Sequence, residues 1–355
     1  MKVAVLGGGH GAVAVAGDLA LRGHEVRLGL RNRQRFEEIF ARRTVRLEGL
    51  IEGEAELADV SDDHASVVAG ADVVLVPLPA YAQEEVASTV APALDEGQVV
   101  YLTPGTFGSF VFREVLKRAG AADVCVAESA TLPYGARMSG PASVRIGLVA
   151  SHLPTGVYPA ARTDTTLAPI REFYPVAEPV EDGLAAGLLN FDGALHAPLV
   201  LMNAGPIEAL DSFDIHLEGN PPSVVRVSVA LDRERIALRQ ALGYHTNHWP
   251  LEDLYSRVGE TFYGVISRAT MERQSVWREK IGFHHRYVTE DVGCGLALWS
   301  SLGRRLGVGT PLADAFLAIA SAVNGEDYKQ SGRTLENLGL AQLSAAELRE
   351  RLSSG

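Results

Sequence analysis

Gly7, Gly9 and Ala12 follow a short apolar run, Val3 to Leu6, and open an alanine-rich helical pattern from His10 to Arg22. Gly23 stops that helix, and a second strand runs from Glu25 to Leu30. In this strand–turn–helix–strand context a Gly-x-Gly-x-x-Ala spacing has a specific chemistry. The first glycine permits a tight turn, the second lets a pyrophosphate approach the backbone, and the small third position lets helix pack on strand. Backbone N–H groups at the helix start complete an anion site. Gly7, Gly8, Gly9, His10, Gly11 and Ala12 are thus the expected dinucleotide cradle. The end of the second strand bears on which dinucleotide. An acidic residue there would bind the ribose and favour NAD, whereas this chain has Leu30 followed by Arg31, Asn32 and Arg33. Guanidinium forks suit a 2′-phosphate, so NADP(H) is favoured over NAD(H); solvated loop arginines are the other reading.

A nicotinamide enzyme that reduces C=O or C=N needs a proton donor or acceptor, and histidine is suited by its pKa. The chain has ten histidines. His24 falls in a turn. His245 and His248 share helical spacing but lack a third ligand, and His284 and His285 would point apart in an extended segment. No metal site is expected. His196 differs because it lies in a strongly apolar segment, Asn190 to Gly205, where a buried imidazole needs a partner. Residue chemistry alone leaves a hydrogen-bonded core histidine as the competing reading. A second candidate segment is His284 to Trp299, in which Glu290 and Asp291 open an apolar helix; acids complementing a helix dipole are the competing reading there.

The elements that must carry these groups read as two kinds. Residues 44–49 and 50–57 look like a strand pair inserted in the nucleotide-binding half. Parallel-sheet strands are expected at Ala71–Pro77, Gln98–Leu102, Asp123–Ala127 and Ser143–Val149, with helical patterns such as Gln83–Leu94 and Phe110–Ala119 between them. Gln34–Ala41 reads as a short helix. Ligands sit beyond the carboxyl edge of such sheets, which brings Pro79 and Thr103 into the expected cofactor site. Residues 151–169 are rich in Pro, Thr and Ala, and residues 174–180 read as an irregular crossover. From Asp182 helical periods dominate, with candidates at 182–189, 194–210, 221–242, 251–258, 291–306 and 311–323. Thr310 before Pro311 is a hydroxyl cap signal, and Ser344 to Glu347 is a capping box. The fold class is an α/β Rossmann-type doubly wound sheet over residues 1–180 and an all-α domain over 181–355, packed closely with the active site between them.

Composition excludes several classes. The 355 residues are 47% hydrophobic and 21% charged, with 32 basic and 44 acidic side chains giving −12. An acidic chain without a basic run is a poor nucleic-acid or anionic-membrane binder. No apolar stretch approaches the ~20 residues of a membrane span. The opening residues read as a strand and not a secretory segment, so a cytoplasmic location is expected. Cys125 and Cys294 read as reduced and structural.

Five segments in order carry a resemblance: Gly7 to Ala12, Glu128 to Arg137, Asn190 through His196 to Gly205, Arg286 to Asp291, and Gly332 to Gly339. Together they resemble the NAD(P)-dependent octopine/nopaline (opine) dehydrogenase family. The resemblance implies that His196 is the acid/base, Asp291 its orienting partner and Arg286 the binder of a substrate carboxylate. It also places Asn190 with the substrate and Glu128 with the cofactor. Ala197 and Gly293 stand where the family often has proline; both are backbone-shaping positions. The implied reaction joins the amine of an amino acid to an α-keto acid and reduces the imine, with a homodimer expected. The rivals are a 2-keto acid, ketopantoate or glycerol-3-phosphate type reductase, which uses a catalytic lysine where this chain has none between Lys117 and Lys280, and a non-catalytic NADP-sensing protein.

Overall fold

A computed structural model describes residues 1–256, 258–265 and 281–355. The chain divides into two compact units, residues 1–187 with 352–355, and residues 188–351.

The first unit is built on strands whose side chains are buried on both faces. Strand β1 (Lys2–Leu6) leads into α1 (His10–Leu21), β2 (Glu25–Gly29) and α2 (Glu37–Arg42). Next come β3 (Thr44–Gly49), β4 (Gly53–Glu56), β5 (Asp59–Ser61), α3 (His64–Val68), β6 (Val73–Val76), α4 (Gln83–Val90), β7 (Val99–Leu102), α5 (Gly108–Arg118) and β8 (Cys125–Ser129). Strands β6 and β7 read Val-Val-Leu-Val and Val-Val-Tyr-Leu and are buried throughout, as β-branched parallel strands between helical layers must be. The unit closes with β9 (Tyr134–Gly140), β10 (Ser143–Val149), β11 (Leu153–Tyr158), α6 (Thr163–Phe173), β12 (Ala177–Pro179) and α7 (Gly183–Gly187).

The main sheet has eight strands in the order β12-β11-β8-β7-β6-β1-β2-β5. From β5 to β8 all pairs are parallel, and β11 returns antiparallel to β8. Strand β10 corrects the sequence reading. It belongs to a separate four-stranded sheet, β4-β3-β10-β9, where it runs antiparallel to β9 and parallel to β3. Arg145 and Val149 are exposed within it, as in a sheet with an uncovered face, and apolar content alone did not distinguish that from a fully buried strand. The expected irregular crossover at 174–180 contains the short strand β12, and the Pro-, Thr- and Ala-rich stretch 151–169 before it is regular. Proline and threonine there sit in β11, which is buried along its whole length, and in α6, which holds Pro169 within the helix.

Helices make up the second unit. They include α8 (Asp192–Leu201), α9 (Ala204–Ala209), α10 (Pro222–Ala241) and α11 (Glu252–Tyr255). Further on lie the helices Arg286–Thr289, Ala297–Leu306, Pro311–Asn324 and Ala345–Ser354. The expected single helix over 194–210 is interrupted at Asn203, whose side-chain amide donates to the carbonyls of Leu199 and Gly219. Arg257, within the expected 251–258 helix, lies outside the described residues. The apolar stretch Gly183–Leu201 also corrects an expectation. It is 19 residues long with a mean hydropathy of 1.4, enough in length and composition to cross a membrane. In the fold it is two helices, and 83% of it is buried within the protein, as core helices are.

Two helix starts show how caps are made here. Ser344 and Glu347 form the expected reciprocal box, with Ser344 N–H donating to Glu347 Oε2 at 2.7 Å and Glu347 N–H donating to Ser344 Oγ at 3.3 Å. At Pro311–Asn324 the hydroxyl of Thr310 makes no capping bond. The Glu234 carboxylate, reaching from α10, accepts the N–H groups of Leu312 and Ala313 at 2.8 and 3.0 Å. Replacing Glu234 with alanine is expected to cost about 1–2 kcal/mol, because it orphans two N–H donors, whereas Thr310→Val is expected to be near neutral. Thermal unfolding of the two variants checks this, and equal losses would contradict it.

Candidate active site

Helix α8 begins where the Asn190 side chain accepts the backbone N–H of Asp192 at 2.8 Å. Asp192 and His196 then stand one turn apart on the same face. Gly193 allows a close approach beside them, since a Cβ there would lie 3.3 Å from the Asp291 carbonyl and 3.2 Å from Leu296. The neighbouring segment, Asp291–Leu296, is wound as a π-helix. The Glu290 carbonyl accepts N–H groups from both Cys294 and Gly295, at 2.6 and 3.3 Å. Such wide turns recur at functional positions because they re-aim side chains. The Arg333 N–H donates to the Gly293 carbonyl at 2.8 Å, so the late Gly332–Arg333 segment braces this turn.

These elements bring His196 Nδ1 to 2.7 Å from Asp291 Oδ2, with the residues 7% and 4% exposed. Burial pushes the His196 imidazole down to about 4; Asp192 opposes this, while Arg286 and His285 add to it. Burial, then the adjacent Glu290 carboxylate, pushes the Asp291 carboxyl up, with Arg286 opposing. Low dielectric disfavours an isolated charge on either partner, and the hydrogen bond between them offsets part of that cost. Arg286 donates through Nε to Glu290 Oε2 at 2.8 Å, and a third of its side chain is exposed while that of Glu290 is buried.

His196, Asp291 and Arg286, singled out in the sequence, are therefore neighbours. Asn190 is close in the chain, but the contact it shows orders the start of α8. The sequence singled out neither Asp192, Tyr287 nor His216, and it offered Glu290 only as a helix-opening acid beside Asp291. The i, i+4 spacings of Asp192 with His196 and of Arg286 with Glu290 were legible signals. The contact of Tyr287 with His216 spans 71 positions and left none. The donor atoms of Asp192, His196 and Asp291 lie within 4.8 Å of one another, as metal ligands can. Nδ1 and Oδ2 in that trio are already joined by the hydrogen bond above.

In the first unit the glycine loop turns at Gly7, whose φ of +128° a side chain would resist. Gly9 is exposed and extended at the N-cap of α1, and a Cβ there would meet nothing within 4 Å. The backbone at Gly9 is thus open to a phosphate, and Ala12 is fully buried behind it. The His10 Nδ1 accepts the Met138 N–H at 2.9 Å, which orients its ring. Thr103 follows β7, with its Oγ1 buried and lacking a partner among the described residues; Pro79 is half-buried after β6. Glu128 is a correction. It is fully buried, and its carboxylate accepts the N–H groups of Phe107 and Ser109 at 2.7 and 2.6 Å. It therefore braces the loop after β7, where Thr106 and Phe107 hold φ of +55° and +63°. Arg31, Asn32 and Arg33 are exposed. Arg31 pairs with Glu85 at 3.3 Å, Asn32 accepts the Arg35 N–H, and the Arg33 guanidinium lies over the Phe40 ring at 4.4 Å. An extended Gly9 and an orphaned Thr103 hydroxyl at the carboxyl edge of a parallel sheet fit a bound dinucleotide.

Comparison with known proteins agrees with this division. The family model for the NAD/NADP octopine/nopaline dehydrogenase alpha-helical domain matches residues 179–324, and that for ketopantoate reductase PanE/ApbA matches residues 3–146. The chain is 34% identical over 351 residues to an opine dehydrogenase of Arthrobacter sp. (strain 1C), covering 98% of this chain and 97% of that protein. Octopine dehydrogenase in a structure with NADH and L-arginine superposes with a TM-score of 0.73 at 18% identity, covering 100% and 98% of the two chains. Yersinopine dehydrogenase with NADP+ bound gives 0.68 at 17% identity, covering 100% and 99%. With a relative this similar along its whole length, a Rossmann-type first unit and a helical second unit, the chain belongs to the opine dehydrogenase family of NAD(P)-dependent oxidoreductases.

Proposed function

We propose that His196, held by Asp291, is the proton-transfer residue of an opine-type reductive condensation. In that reaction an amino acid's amine adds to the carbonyl of an α-keto acid and water leaves. The resulting C=N carbon then takes a hydride while its nitrogen takes a proton. The reduced nicotinamide, when bound, supplies the hydride. The observation that carries the reading is the buried 2.7 Å bond between His196 Nδ1 and Asp291 Oδ2, in a chain 34% identical along its length to an opine dehydrogenase.

This geometry supports a role for each residue. Asp291 accepts from Nδ1–H, which fixes the tautomer and leaves Nε2 as the atom that takes or gives the proton. The carboxylate also balances the imidazolium that forms when Nε2 is loaded. Arg286 is tied at Nε by Glu290, and its terminal Nη edge suits a substrate carboxylate in bidentate geometry. That contact orients the acid for hydride attack. The glycine loop holds the pyrophosphate. NADP(H) is the preferred cofactor on this reading, because the buried Leu30 stands where a ribose-binding acid would and Arg31 is exposed beside it. Its pair with Glu85 is solvent-exposed on both sides and exchanges for a phosphate at little cost.

Three measurements test the proposal. NADPH and NADH oxidation across a matrix of amino acids and α-keto acids is expected to need both substrates at once; oxidation by a keto acid alone would favour a 2-keto acid reductase. In that assay His196→Ala is expected to keep cofactor binding and lose about 10²–10⁴-fold in turnover. Arg31→Ala is expected to weaken NADPH binding about tenfold and to leave NADH binding unchanged, measured by cofactor fluorescence. Equal effects on the two cofactors would reject the NADP preference. For the reverse reaction the base form of His196 is needed, and burial holds this group at about 4, below its usual 6.5. The acid limb of kcat/KM for opine oxidation is therefore expected well below pH 6.5, since a lowered pKa keeps the ring unprotonated as pH falls. A limb at or above 6.5 would contradict that environment.

A further inference from the structure

The His196 ring has a second partner besides Asp291. Tyr287, itself buried, lies face to face with it at 3.6 Å between ring centroids and 13° between planes. The Tyr287 hydroxyl is hydrogen-bonded to His216 Nε2 at 3.0 Å, and the His216 ring meets the tyrosine edge-on at 89°. His285 meets it edge-on from another side, with centroids 4.4 Å apart. The tyrosine ring is thus clamped by two histidines and presents its π face to the imidazole. His216 and Tyr287 come from distant parts of the chain, so the stack is a product of the fold and not of local sequence.

We propose that Tyr287 is a positioning residue for the proton-transfer step: its ring holds the imidazole in the plane that keeps Nδ1 on Asp291 and stabilises the imidazolium through its π face. This rests on the reading of His196 as the acid/base. A ring stacked on one face blocks rotation of the imidazole out of the Nδ1–Asp291 line. An aromatic face within about 6 Å of a cation attracts it, more strongly when water is excluded. The charged and titratable groups that face His196 are Asp192 on its own helix, Asp291 and Glu290 at the π turn, Arg286 on the short helix beside it and His285 at that helix's N-cap. His216 faces it edge-on from the segment before α10. Arg286 and His285 oppose protonation of His196, and the carboxylates favour it. The tyrosine face adds to the favourable side without adding a charge that would have to be buried.

The test compares Tyr287→Phe, which keeps the π face, with Tyr287→Leu, which keeps apolar volume and removes it. In the leucine variant the limb of the kcat–pH profile that reports His196 is expected to move to lower pH by about half a unit to one and a half units. Its kcat is expected to fall about tenfold while KM for NAD(P)H stays within about twofold. The phenylalanine variant is expected to retain the wild-type limb and most of kcat. An unmoved limb in Tyr287→Leu, or an equal shift in Tyr287→Phe, would overturn the proposal. Tyr287→Met provides the same comparison should the leucine variant not fold. Titration of 13C-labelled histidine by NMR, with the His196 resonance assigned by its loss in His196→Asn, gives the shift without turnover. An absence of turnover for every substrate pair would therefore reject the proposed reaction, and an unshifted His196 resonance would reject the role of Tyr287.

Discussion

The hydrogen bond between His196 and Asp291 is the constraint around which the helical unit is organised. Both groups are almost completely buried, and each alone would carry the cost of a desolvated polar side chain. Joined, they satisfy one another only if two helical segments approach closely and the carboxyl is aimed at the ring. The absent side chain of Gly193 permits the approach, and the wide turn at Asp291–Leu296 supplies the aim. That turn leaves an irregular backbone that needs bracing, which the Arg333 N–H provides at the Gly293 carbonyl. Three separated stretches of chain thus serve one contact.

The first unit applies the same economy to a different ligand chemistry. Buried parallel strands at the centre of the sheet give a rigid platform, and the loops at their carboxyl edge carry the exposed backbone. Gly9 is left open, while the loop after β7 is tied down by the Glu128 carboxylate through two N–H groups. That loop includes two non-glycine residues with left-handed φ, a strained conformation that persists because the surrounding bonds over-determine it. Glu128 is therefore important without facing a ligand. A buried carboxylate that organises a binding loop and one that binds look the same in a sequence.

Much of the architecture was legible in the chain itself. The order of β1, α1 and β2, the β-branched strands β6 and β7, and the helices α10 and Pro311–Asn324 follow from periodicities that burial imposes directly. The capping box at Ser344 and Glu347 was legible because both partners lie within one turn. Less legible were elements whose character depends on what covers them. β10 has the composition of a central strand but lies in a small separate sheet, and β11 and α6 hide behind proline and threonine. The helix Pro311–Asn324 carries a local hydroxyl signal at Thr310, yet its start is capped by Glu234 from another helix.

The candidate site divides along the same line. By itself the sequence determined the chemical inventory: a glycine cradle after a strand, arginines in place of a ribose-binding acid, a histidine in an apolar segment, and an arginine and an aspartate five positions apart. Those are properties of residue type and short spacing, which local geometry converts into faces and turns. Only the tertiary structure decided that His196 meets Asp291 across 95 positions and that Tyr287 covers its ring. It also decided that Glu128 turns inward to hold a loop. Such contacts depend on how helices and strands pack, and packing responds to shape and burial summed over the whole unit. No short stretch of sequence encodes that sum.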